Sequence, residues 1–174
     1  MQHCGQLIRG GCVTARCSML LNHDYFAYGS NLNLRQMRRR CPDSQPIDKV
    51  ILHGYQLMFP RRNMHWRGGV AGIAPAVGLH VEGALYRASG KDLEALDRYE
   101  GICEGEYIRT SVVVEMPDHS NRTALTYLAV VEDESESFFA PSDRYLDAII
   151  QGARDHDLSC RWIQHLQAFR DFSA

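Results

Sequence analysis

Two short stretches hold residue types that can do chemistry. The first is "YFAYGSNL", Tyr25 to Leu32, in which an apolar run breaks at Gly29, Ser30 and Asn31 and a helical pattern follows at once. A strand entering such a turn leaves several backbone N–H groups without partners. They can hold a carboxylate, or a carbonyl oxygen that gains charge during a reaction. Gly29 allows a ligand to come close to the main chain, and Ser30 and Asn31 add side-chain donors. A capped helix with no ligand has the same local pattern.

The second stretch is "LEALDRYEG", Leu93 to Gly101. Leu93, Leu96 and Glu100 recur at helical spacing, which puts Glu100 on the face of the two leucines while Glu94, Asp97 and Arg98 take the other sides. Burial disfavours the charged form of a carboxylate and raises its pKa, and the negative end of the helix adds to this. A glutamate tuned to about 6–7 is a competent general base near neutral pH. The same residue at a helix end can instead reach water, or pair with Arg98 or Arg109.

These residues need elements to position them. Asp24–Ala27 reads as a short buried strand, and Leu34–Arg40 as a helix stopped before Pro42. Lys49–Phe59 is β-rich with a bulge expected at Gly54. Pro60–Gly69 reads as a polar loop with Arg61, Arg62 and Arg67 in solvent. "VAGIAP" and "HVEGALYRA" follow as separate strands. Ser89 with Asp92 makes a shortened capping box for a helix that Gly101 ends. A hairpin turns across Pro117–Arg122, and two helices capped by Ser142 and Ser159 separate near Asp157. Strands in the middle and helices at the end predict an α+β domain with a mainly antiparallel or mixed sheet.

Composition narrows the function. With 174 residues, 45% apolar and 23% charged, the chain can form one domain with a proper core. Its net charge of −2 points to neither nucleic acid nor membrane, and the basic run "LRQMRRR" reads as a solvated helix face. The six cysteines lack the C-x-x-C spacing of a zinc site and are read as reduced and incidental. There is no P-loop, dinucleotide fingerprint or G-x-S-x-G motif. Residues 1–23 contain no acid and no clear period. They are read as a disordered extension, or as sequence upstream of a start at Met19, with the domain spanning 24–174. The missing targeting signals predict a cytoplasmic location, and no exposed apolar stripe decides between monomer and homodimer.

The chain resembles the gamma-glutamylcyclotransferase family, which includes the AIG2-like proteins. "YFAYGSNL" is similar to that family's signature loop, and "GGVAGIAP" and "VEGALYR" to its next strands. "LEALDRYEG" with "GEYIR" resembles the segment that carries its catalytic Glu and a nearby Tyr, and "PSDRYLDAIIQGA" its C-terminal helix. The resemblance implies a small mixed β-barrel-like sheet with flanking helices. It also implies a reaction, in which the α-amine of a γ-glutamyl group attacks its own γ-amide carbonyl to give 5-oxoproline and a free amino acid or amine. On this chain Glu100 would be the general base. Tyr28, Gly29, Ser30, Asn31 and Leu32 would hold the glutamyl group through the main chain, and Tyr107 and Tyr145 would bond the substrate. No metal or other cofactor is implied. A γ-glutamylamine substrate and a non-catalytic binding module of the same fold are the alternatives.

Overall fold

The computed structural model describes residues 22–131 and 138–172. The disordered extension expected at the N-terminus falls mostly outside these residues. Its last two members, Asn22 and His23, instead begin the first strand, pairing with Ser89 and Ala88.

That strand, β1, runs Asn22–Ala27 and leads into a single 3-10 turn, Ser30–Leu32. Helix α1 (Leu34–Arg40) follows, then two long strands, β2 (Gln45–Asn63) and β3 (Gly68–Ser89). Helix α2 (Gly90–Tyr99) leads to the hairpin β4 (Tyr107–Glu115) and β5 (Asn121–Ala129). Helices α3 (Asp143–Asp155) and α4 (Cys160–Ala168) complete the fold with a short 3-10 segment, Phe169–Phe172.

The strands close into a barrel in the order β1-β3-β2-β4-β5. All neighbours are antiparallel except β1 and β5, which meet in parallel at Tyr25 and Leu125. The expected α+β mixed barrel with flanking helices is therefore present. Both faces of β1 are buried, with Tyr25 and Phe26 only 4% and 0% exposed, because successive side chains point to opposite sides and both sides are covered.

The long β2–β3 ribbon departs from the sequence reading. Pro60–Gly69 is not a loop: Arg61, Arg62 and Asn63 pair with Val70, Gly69 and Gly68, leaving only residues 64–67 as a turn. Pro60, which cannot donate to a ladder, lies in a register shift between Met58 and Arg61, where a strand tolerates it. Likewise "VAGIAP" and "HVEGALYRA" belong to one strand, and residues 76–79 bulge out between Pro75 and His80. Opposite them Gly54, at φ 77°, forms the bulge expected there.

The helices start as their capping residues predict. The Ser89 hydroxyl accepts from the Asp92 N–H while the Asp92 carboxylate accepts from the Ser89 N–H, completing the capping box. Ser142 caps α3 and Ser159 caps α4, and Asp157 at φ 52° turns the chain between them. Among the described residues no helix is long and apolar enough to cross a membrane.

Candidate active site

The chain leaves β1 after Ala27 and folds at once into the 3-10 turn. The Leu32 N–H donates to the Gly29 carbonyl at 3.0 Å, and the Asn33 N–H to the Ser30 carbonyl at 3.0 Å. The N–H groups of Gly29, Ser30 and Asn31 precede the first of these bonds, so they are the donors the turn can offer. Helix α1 spans Leu34–Arg40, as its sequence pattern predicts. It starts one residue beyond Asn33, whose side chain accepts the Gln36 N–H and satisfies the helix end itself. The anion-holding capacity therefore belongs to the turn. A Cβ on Gly29 would lie 3.2 Å from the Ala71 methyl and 3.5 Å from the Tyr145 hydroxyl, so glycine keeps this approach open.

Glu100 caps the C-terminus of α2. Its N–H still donates to the Leu96 carbonyl at 2.8 Å, and Gly101, at φ 63°, then turns the chain away. Its side chain is 17% exposed and points into the pocket, where Asn31 Nδ2 donates to Oε1 at 2.9 Å. The two alternatives open in the sequence are thus decided. The nearest cation is neither Arg98 nor Arg109 but Arg40, with Nη1 4.0 Å from Oε1; Arg109 pairs with Asp97 at 3.0 Å. Removal from water raises the Glu100 pKa above the ordinary carboxylate value. The Arg40 charge and the Asn31 hydrogen bond pull it partly back, and Glu106 pushes it up.

The pocket is a small space of ≈ 30 Å³ between the turn, Glu100, Ala71 and five tyrosines: Tyr25, Tyr28, Tyr107, Tyr127 and Tyr145. Burial, foremost, raises all five phenol pKa values, so the wall is neutral. Each hydroxyl has a partner. Tyr28 donates to the Tyr127 carbonyl at 2.6 Å, and Tyr127 to Asp97 Oδ1 at 2.8 Å. Tyr25 accepts from Asn31 Nδ2 at 2.9 Å. Tyr107 donates to the Ala71 carbonyl, and Tyr145 accepts from the Ala71 N–H, both at 2.9 Å. Tyr145 also meets the Ser30 side chain, and Tyr107 keeps lone pairs for another donor.

The structure thus brings together Tyr28, Gly29, Ser30, Asn31, Glu100, Tyr107 and Tyr145. Leu32 is not in the lining: its side chain is fully buried in the core and its N–H is bonded to Gly29. Sequence reasoning missed Tyr25, Ala71, Tyr127 and Arg40. The available signal was composition, since five of the chain's eight tyrosines line this pocket. The arginines also need correction. Arg61 is 8% exposed and donates to the Val130 carbonyl at 3.2 Å, while Arg62 and Arg67 do face solvent. A larger hollow of ≈ 280 Å³ lies beside Glu115 and His119, away from these residues. No group of His, Cys, Asp and Glu among the described residues is arranged to hold a metal ion.

The sequence that builds this barrel and pocket matches a known family, the AIG2-like family. The model of that family matches residues 80–166, half of the sequence, and the chain belongs to it. The match begins after the turn and includes Glu100, Tyr107, Tyr127 and Tyr145. The gamma-glutamylcyclotransferase of Homo sapiens is 28% identical over 148 residues, covering 83% of this chain and 77% of that protein. That of Bos taurus is 28% identical over 162 residues, or 91% and 84%. A solved structure of a gamma-glutamyl cyclotransferase superposes with a TM-score of 0.80 at 27% identity, covering 85% of this chain and 88% of the other.

Proposed function

We propose that this chain is a gamma-glutamylcyclotransferase, with Glu100 as its general base. The observation that carries this reading is the Glu100 carboxylate, withdrawn from water and held by Asn31 of the glycine turn at 2.9 Å. An acceptor for a proton and donors for an oxyanion thus share one pocket.

The substrate's α-amine is largely protonated at neutral pH, with a free value of about 7.7–8.0. Glu100 removes its proton, and the amine nitrogen forms a bond to its own γ-carbonyl carbon. The carbonyl oxygen becomes an oxyanion beside the N–H groups of Gly29, Ser30 and Asn31. Glu100 then gives that proton to the departing nitrogen as the amide C–N bond breaks, takes up the second proton that the new ring nitrogen sheds, and passes it on to the freed amine or to water. The products are 5-oxoproline and a free amine. Nucleophile and electrophile belong to one molecule, and a favourable geometry of this kind is worth about 7–11 kcal/mol. Each oxyanion donor adds about 2.7–4 kcal/mol.

The test is to incubate the protein with γ-glutamyl dipeptides, γ-glutamyl-ε-lysine and glutathione, and to measure 5-oxoproline by mass spectrometry. At least one substrate is expected to turn over, and the productive one names the leaving group. Glu100→Gln is expected to lose about 10²–10⁴-fold in kcat while still binding that substrate in calorimetry. Full turnover by this variant would move the base elsewhere. If no substrate yields 5-oxoproline, the chain is a binding module of the same fold.

A further inference from the structure

Helix α1 presents Arg35, Arg38 and Arg39 to water, as its basic pattern suggests, but Arg40 turns inward, its side chain 16% exposed. Its Nη1 donates to Asn31 Oδ1 at 2.8 Å, and Gln36 Nε2 approaches the same oxygen at 3.3 Å. Two donors on one side of the Asn31 amide leave its NH₂ facing the other way, toward Tyr25 and Glu100, each at 2.9 Å. Reversing the amide would aim NH₂ at two donors and the oxygen at a carboxylate. The Arg40 guanidinium also lies 4.5 Å from the centre of the Tyr99 ring, so an exposed aromatic holds it in place.

We propose that Arg40 is a positioning residue for Glu100. It locks the Asn31 amide so that its NH₂ grips one carboxylate oxygen, and it supplies the counter-charge that keeps the base ready. The proposal rests on Glu100 being the base. It also gives Tyr99 a task, as the platform that stops the guanidinium swinging into solvent.

The groups facing Glu100 set the expected direction. Tyr25 and Tyr28 from β1 and the turn, Tyr107 and Tyr127 from the hairpin and Tyr145 from α3 are neutral. Of the charged groups, Arg40 from α1 favours the carboxylate and Glu106 opposes it, while desolvation is the larger effect. Without Arg40 the carboxyl should hold its proton to higher pH. A base's ionised fraction falls about tenfold per pH unit below its midpoint, so the loss of rate should be greatest at acid pH.

The test uses Arg40→Met, Arg40→Lys and Tyr99→Leu in the full chain. The Glu100 titration is followed by carbon NMR of labelled glutamate, its signal assigned through Glu100→Gln, alongside the pH profile of kcat/KM. In Arg40→Met the midpoint and the acid limb of the profile are expected to move up together. Arg40→Lys should fall between this variant and the native protein, because the charge returns without the guanidinium fork. Tyr99→Leu, altering a residue 56% exposed, should shift the same way by less and keeps the test open if Arg40→Met does not fold. A midpoint unchanged in folded Arg40→Met, or in Tyr99→Leu where Arg40→Met does not fold, overturns the proposal. Full turnover by Glu100→Gln overturns the base instead, and the NMR shift still reports whether Arg40 governs that carboxyl.

Discussion

At the Glu100 carboxyl, removal from water raises the pKa, with Arg40 and Asn31 returning part of the shift. In the unfolded chain the same group titrates near its ordinary value, about 4.3. Between the two values the folded state binds the proton more tightly. The stabilising contribution is therefore fully present below the unfolded pKa and is lost as pH rises through the folded one. Glu100→Gln cannot ionise and escapes this loss. It is expected to melt at a higher temperature than the native chain at neutral pH, with the difference closing below about pH 4. Each 1 kcal/mol corresponds to about 2–4 °C for a domain of this size. A variant that melts lower at neutral pH would show that the ionised carboxylate is net stabilising there. The apolar stripe of Leu93 and Leu96 made this burial legible in the sequence. Arg40 was not legible, because four arginines in one short helix look alike until the fold turns one of them inward.

Among the elements, α3 positions the turn by coming very close to it. A Cβ at Gly152 would lie 2.3 Å from the Leu32 carbonyl carbon and 2.4 Å from the Asn33 nitrogen. In an exposed helix, alanine for glycine gains about 1 kcal/mol, but at this position the sign should reverse. Gly152→Ala is expected to lower the urea midpoint and also kcat/KM, because the turn must move away from Glu100. Unchanged stability and rate would mean that α3 can retreat without cost. Helix ends were readable here because Ser89, Ser142 and Ser159 act through local hydrogen bonds. The β2–β3 ribbon was not: Arg61, Arg62 and Asn63 are held in the ladder by residues 68–70 across the turn, and a polar run carries no period that reveals such pairing.

For the whole molecule, the closing seam is the place to look. Strands β1 and β5 meet in a single parallel register pair, Tyr25 with Leu125. The fully buried Thr126 reinforces the seam by donating to the Phe26 carbonyl at 2.9 Å. Thr126→Val keeps the shape and removes that bond, so a loss of about 1 kcal/mol is expected, or about 2–4 °C in Tm. Hydrogen exchange should quicken first in β1, which carries the turn. Protection that falls evenly across all strands would show that the seam has no special role. The sequence by itself determined the α+β class, the helix caps, the glycine turn and the glutamate on an apolar stripe, since each follows from neighbours within a few residues. Only the tertiary structure decided that five tyrosines converge, that Ala71 bridges two of them, and that Arg40 faces Glu100. Those contacts join residues far apart along the chain, and barrel closure brings them together through pairings that local spacing does not encode.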